Sequence, residues 1–134
     1  CTWTSYRWIM TTKKGFSWRA RARSFKYAIA GLKVLLGEHN AWIHCCAAVA
    51  VTVAGGLLGI SRAEWLAVVL CIGAVLALEA VNTAVEAICD HVSPQFAPFV
   101  KRAKDVAAAA VLIMALAAVV AGCIIFMPRI FAPR

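Results

Sequence analysis

The segment from Trp65 to Cys89 is apolar on every side but one. Glu79, Asn82, Thr83, Glu86 and, at its edge, Asp90 follow one another at i, i+3, i+4, i+7 and i+11, which is a single stripe along a helix turning about 100° per residue. Alanine, valine, leucine and isoleucine occupy the other faces. As a helix this segment extends about 37 Å, enough to cross a hydrocarbon layer of about 30 Å. Inside that layer an open strand or loop would leave backbone groups unsatisfied, so helix is the only form open to a single segment. A carboxylate near the bilayer centre costs roughly 2.5–3.5 kcal/mol on insertion scales. Several on one stripe therefore require partners, water or a bound cation, and the stripe is the candidate functional site.

Two further segments have the same character. The first span runs from about 42 to 60 and the third from about 106 to 127, with the second at 65–89 between them. Hydrophobic residues make up 63% of the 134, which places the chain among integral membrane proteins and well above the apolar share of soluble domains. Fourteen Lys and Arg against six acids give a net charge of +8, but these basic residues flank the spans. No basic surface with a nucleic-acid reading motif remains once the spans are assigned, so anionic headgroups and membrane orientation account for the charge. The six cysteines form no C-x-x-C pair and no tetrahedral Cys/His spacing, and five of them lie in or beside apolar spans. They read as buried free thiols rather than disulfides or zinc ligands.

In chain order, residues 1–15 form a basic lead-in. Met10, followed by Thr11-Thr12-Lys13-Lys14, is the expected natural start, with residues 1–9 upstream of it. Trp18, Ala22, Phe25, Ile29, Leu32 and Leu36 then recur at steps of four and three, with Arg19, Arg23, Lys26 and Lys33 on a neighbouring face. This spacing predicts a basic amphipathic helix lying on the membrane surface. Gly55 and Gly59 form a small-xxx-small pair that would let helices approach closely. Ser61 to Glu64 makes a tight polar turn, His91 to Asp105 a polar connection, and Pro128 is expected to stop the third span. The histidines and tryptophans are read as interfacial groups.

Eleven basic residues lie on the side of the N-terminus and the 91–105 connection, and three on the other. The positive-inside rule puts the N-terminus and that connection in the cytoplasm. Glu38, Glu79, Glu86, Asp90 and Asp105 then share the cytoplasmic half with Lys104, and only Glu64 lies on the far side. Carboxylates able to hold a divalent cation, a lysine to neutralise phosphate charge and a glutamate to take a proton from a lipid hydroxyl are the parts of a phosphoryl transferase. The same stripe could equally line an ion or proton path through a non-enzymatic bundle.

The run Glu79-Ala80-Val81-Asn82-Thr83-Ala84-Val85-Glu86-Ala87-Ile88-Cys89-Asp90, the Ala103-Lys104-Asp105 element and the Glu38-x-Asn40-x-x-Ile43-His44 lead into the first span resemble the prokaryotic diacylglycerol kinase family. The resemblance covers about residues 23–128, and no soluble-kinase loop motif accompanies it. It implies an all-α integral membrane fold with a surface helix and three transmembrane helices, one kinase domain over residues 16–134, and a homotrimer with shared active sites. It implies transfer of phosphate from ATP, with Mg²⁺, to a lipid alcohol at the cytoplasmic face of a bacterial cell membrane. By position, Glu79 would be the catalytic base, Glu38 and Glu86 the cation ligands, and Asn82 and Asp90 would shape the site. Lys104, Asp105, Glu38, Glu86, Arg19 and Lys26 would contact ATP. Glu38-His39-Asn40 to His44, Arg23-Ser24-Phe25-x-Tyr27-Ala28, Glu64-Trp65 and Ile125-Phe126-Met127-Pro128 are more similar to the undecaprenol kinase branch than to the diacylglycerol kinase branch. The connection departs from the family at Ala97, which stands where relatives carry a histidine, and at the additional Pro98.

Overall fold

The computed structural model describes residues 17–92 and 97–131. The 1–15 lead-in, Met10 and the 93–96 part of the connection lie outside the described residues. Four helices follow in order: α1 (Trp18–Leu35), α2 (His39–Leu58), α3 (Arg62–Val92) and α4 (Pro98–Phe131), with no strand among the described residues. The last three are long and apolar enough to cross a membrane. The chain divides into one compact unit ending at Gly31 and another beginning at Leu32. In the first, α1 is helical over the stretch its spacing predicts, and Arg19, Phe25, Lys26 and Ile29 are exposed.

The second unit is organised around the antiparallel pair α3 and α4, with α2 packed against both. Their register is pinned at two places. Arg129 on α4 donates from Nη1 and Nη2 to the two carboxylate oxygens of Glu64 on α3, at 2.6 and 2.7 Å. At the other end Lys104 Nζ donates to Asp90 Oδ1 at 2.5 Å. The pinned residues lie 26 apart on α3 and 25 apart on α4, so the helices keep step over about 38 Å. That exceeds the hydrocarbon thickness, and both pairs consequently sit toward helix ends, where charges are tolerated.

The turn between α2 and α3 is built more specifically than its polar composition suggests. Gly59 takes the left-handed conformation (φ 59°, ψ 51°) that caps α2, a conformation glycine adopts without steric cost. It therefore ends the helix instead of serving as the second half of a helix-approach pair. Ser61 and Glu64 form a reciprocal capping box: Ser61 N–H donates to Glu64 Oε2 at 2.7 Å, and Glu64 N–H donates to Ser61 Oγ at 3.3 Å. Ile60, Val68 and Ile125 form the core beside this turn, with Trp65, Ile72 and Phe126 packed against it. Trp65 is thus a packing residue rather than only an interface anchor. Thr52, facing outward from α2, satisfies its hydroxyl on the Ala48 carbonyl at 2.7 Å, as a polar group in lipid must.

Three expectations are corrected here. Pro128 does not stop α4, which continues to Phe131. Proline removes one N–H near the last turn, and Arg129, bonded to both Ile125 O (3.0 Å) and Glu64, holds that turn in place by tertiary contact. The 91–105 stretch is mostly helical: α3 runs through Val92, and Pro98 opens α4 at a position where a missing N–H costs nothing. The five described cysteines are free as expected, yet Cys46 and Cys123 are exposed on the helix surfaces and Cys45, Cys71 and Cys89 are half-buried.

Gly55 tests the packing. A Cβ there would lie 3.0 Å from Ile60 Cδ1 and 3.1 Å from the Trp65 ring, whereas one at Gly56 would meet nothing within 4 Å. Gly55→Leu should therefore cost about 1–3 kcal/mol through overpacking, read as a lower melting midpoint in detergent. Gly56→Ala should leave the midpoint unchanged.

Candidate active site

The polar stripe of α3 is graded in exposure. Glu79 is 3% exposed and Asn82 5%, Thr83 and Glu86 are half-buried, and Asp90 is exposed. The α3–α4 register explains the gradient. Counted back from the Asp90–Lys104 pair, Glu79 falls opposite Met114 and Ala115 on α4, and the methyl of Ala115 leaves space beside the carboxylate. A pocket of about 240 Å³ occupies it, walled by Asn40 and His44 of α2, Glu79 and Asn82 of α3, and Val111 and Ala115 of α4. A larger apolar cleft of about 440 Å³ runs toward the core end of the bundle, and it shares His44 and Ala115 with the first.

Within the stripe, Asn82 Nδ2 donates to Glu86 Oε1 at 3.1 Å. A carboxylate can only accept, so this bond fixes the amide orientation and directs Oδ1 elsewhere. That Oδ1 is buried and has no hydrogen-bond partner. An orphaned buried oxygen is costly in an apolar setting, at roughly 1–3 kcal/mol, and marks a position prepared for something the chain itself does not supply. Glu79 Oε2 lies 4.0 Å from His44 Nε2, beyond hydrogen-bond range.

The phosphate-contact candidates are otherwise engaged. Lys104 reaches across to Asp90, and Asp105 accepts from Lys101 one turn back on the same helix. Being consecutive, Lys104 and Asp105 point about 100° apart, and only the lysine faces α3. Glu38 is the N-cap of α2, in extended conformation (φ −83°, ψ 136°), and its carboxylate makes no capping bond. Arg19 and Lys26 belong to the first unit and the other candidates to the second.

The fold thus brings Glu79, Asn82 and Glu86 together along the stripe, and Lys104, bonded to Asp90, lies within electrostatic reach of Glu86 as well. Among the described residues no three His, Cys, Asp or Glu side chains converge as a metal site. The donors present are nonetheless hard oxygens, Glu86 and the orphaned Asn82 Oδ1 among them, which suits Mg²⁺ rather than a softer metal. Sequence reasoning passed over His44 as an interfacial residue. The signal was available: Asn40, Ile43 and His44 at i, i+3 and i+4 put the histidine on the face of α2 that lines the pocket. The Glu64–Arg129 clamp, 65 residues apart, carried no local signal beyond the Ser61-x-x-Glu64 capping pattern.

Residues 26–126 match the family described as prokaryotic diacylglycerol kinase. The chain is 37% identical over 109 residues to the undecaprenol kinase of Bacillus subtilis (strain 168), a match covering 81% of this chain and 89% of that protein. It is 37% identical over 107 residues to a diacylglycerol kinase of a Synechocystis species, covering 78% of this chain and 61% of the relative. A diacylglycerol kinase of a Sinorhizobium species matches at 33% over 91 residues, covering 68% and 66%. The chain therefore spans under two thirds of the length of those two relatives.

The Asp90–Lys104 bridge is exposed on the aspartate side, so its removal should cost little, whereas reversing one charge sets like charges face to face. Lys104→Asp alone and Asp90→Lys alone should each lower the melting midpoint, and the double exchange should recover most of the loss. A double-mutant cycle of thermal unfolding checks the register directly.

Proposed function

The chain belongs to the prokaryotic diacylglycerol kinase family, a family of lipid kinases, and from that premise we propose that it transfers the γ-phosphate of Mg-ATP to undecaprenol. The observation that carries this reading is the junction at His44 and Ala115, where an apolar cleft meets the pocket of a buried carboxylate. A hydrocarbon chain with a terminal hydroxyl needs both environments side by side. The choice of undecaprenol is supported by the Bacillus relative, of whose length the match covers 89%. Diacylglycerol is the second reading, supported by the names of the Synechocystis and Sinorhizobium relatives.

Glu79 is the proposed base. The lipid hydroxyl oxygen attacks the γ-phosphorus and forms the new P–O bond. The bond to the bridging β–γ oxygen breaks, its electron pair leaves with ADP, and the hydroxyl proton passes to the Glu79 carboxylate. Glu38 and Glu86, with Asn82, would hold Mg²⁺, which would neutralise charge on the nucleotide phosphates. Asn82 also holds Glu86 in orientation, and Asp90 holds Lys104 where its ammonium can reach a phosphate. Asp105, Arg19 and Lys26 are proposed as further ATP contacts.

The proposal extends to the assembly. The site works in a homotrimer, where a neighbouring protomer brings its Glu38 or surface helix to the stripe. The breadth of exposed apolar helix surface, open to a neighbouring protomer as well as to lipid, supports this. Residues 16 onward form the single kinase domain, α1 lies among headgroups on its apolar stripe, and the N-terminus and active site face the cytoplasm of a bacterial cell membrane.

Glu79→Gln preserves shape and removes the base, so it should reduce transfer by about a hundredfold or more while the protein still folds. Glu86→Gln should instead raise the KM for Mg-ATP. Near-normal turnover in Glu79→Gln would remove the base assignment. Retention of function after Lys104 and Asp105 are neutralised together, with no ATP turnover, would favour an ion-conducting bundle.

A further inference from the structure

Resting on the kinase reading and going beyond it, we infer that His44 is the residue that receives and orients the acceptor hydroxyl against Glu79. The two side chains approach from different helices, α2 and α3, and stop with Nε2 and Oε2 4.0 Å apart. That distance is too long for a direct bond and suited to one oxygen lying about 2.8 Å from each. A hydroxyl placed there accepts from the Nε2–H of His44 and donates its own hydrogen to Glu79. It is thereby set with its proton already directed at the base.

Two independent features of the pocket point to an alcohol. First, the buried acids and amides offer acceptors: Glu79 only accepts, Asn82 Oδ1 accepts and is without a partner, the donors on the wall are Asn40 and His44 of α2, and α4 contributes the hydrocarbon of Ala108, Val111 and Leu112. A ligand bringing an O–H gives Glu79 a hydrogen to accept, whereas an ether or ester oxygen brings none and leaves the buried carboxylate without a donor. Second, His44 lines the apolar cleft as well as the polar pocket. An aliphatic chain lying in the cleft would thus present its head to the imidazole first. His44 is only 20% exposed at its side chain, so the residue is held in place by the bundle before any substrate arrives, which favours a positioning role.

The test is steady-state transfer from Mg-ATP to undecaprenol in mixed micelles by the unsubstituted protein, His44→Ala, His44→Gln, Glu79→Gln and the His44→Ala/Glu79→Gln pair. Folding is monitored by helical circular dichroism. His44→Ala should lower kcat/KM for undecaprenol by at least about tenfold, with KM for Mg-ATP within about twofold of the unsubstituted protein. His44→Gln, which keeps an N–H donor at similar reach and the volume of the side chain, should recover much of the loss. The pair should be no slower than Glu79→Gln alone, because the two groups act on one proton. Unchanged lipid kinetics in His44→Ala, a loss expressed in Mg-ATP binding instead, a failure of Gln to do better than Ala, or multiplicative losses in the pair would each overturn the assignment while leaving the kinase reading intact. Absence of transfer by the unsubstituted protein to undecaprenol and to diacylglycerol would overturn both.

Discussion

The burial of Glu79 at 3% exposure, about twenty ångströms from the end of a helix long enough to cross a bilayer, is the constraint on which the rest of the fold depends. An ionisable group in that position is expensive, and it persists in membrane proteins when the surrounding bundle encloses it for a purpose. Here three helices enclose it. Small side chains on α4 leave room beside it, Asn82 and Glu86 continue the polar line toward the helix end, and His44 faces it from α2. The placement works only if α3 and α4 keep one register. The two ion pairs at opposite ends of that helix pair hold this register, and a slip of one residue would turn a different α4 side chain toward the carboxylate.

The two ends of the α3–α4 pair differ in character. Around Glu64 and Arg129 the interactions interlock: a capping box, a bidentate guanidinium–carboxylate contact and the Ile60–Val68–Ile125 core all act on the same turn. Around Asp90 and Lys104 the described residues join the helices through an ion pair with an exposed aspartate. The apolar cleft runs from the Glu64–Arg129 end toward the pocket beside Glu79, so the polar stripe begins where the cleft ends and leads on to the exposed Asp90.

Much of this was legible in the residues. Periodicity located α1 and apolar length the three longer helices, and the stripe from Glu79 to Asp90 falls on one face of α3 because helical geometry leaves no other choice. The resemblance carried by Glu79, Asn82, Glu86, Asp90, Lys104 and Asp105 anticipated the family. What escaped was tertiary. Pro128 carries a helix-breaking signal, and only the guanidinium of Arg129 reaching Glu64 explains why α4 continues. Pro94 and Pro98 suggested a long loop, yet Pro98 suits the first turn of a helix as well as a break. Gly59 looked like half of a packing motif until its backbone conformation identified it as a cap. The spacing of Asn40, Ile43 and His44 marks a face of α2, but the 4.0 Å from His44 to Glu79 on another helix is a tertiary distance that the spacing alone does not give.

The central claim is that the buried carboxylate serves phosphoryl transfer to a lipid alcohol. It is tested most directly by offering purified protein in mixed micelles γ-labelled Mg-ATP with undecaprenol and diacylglycerol in parallel, and identifying the labelled lipid. The account predicts labelled undecaprenyl phosphate as the main product. Preference for diacylglycerol would keep the mechanism and reverse the substrate, and absence of label in either lipid would contradict the account.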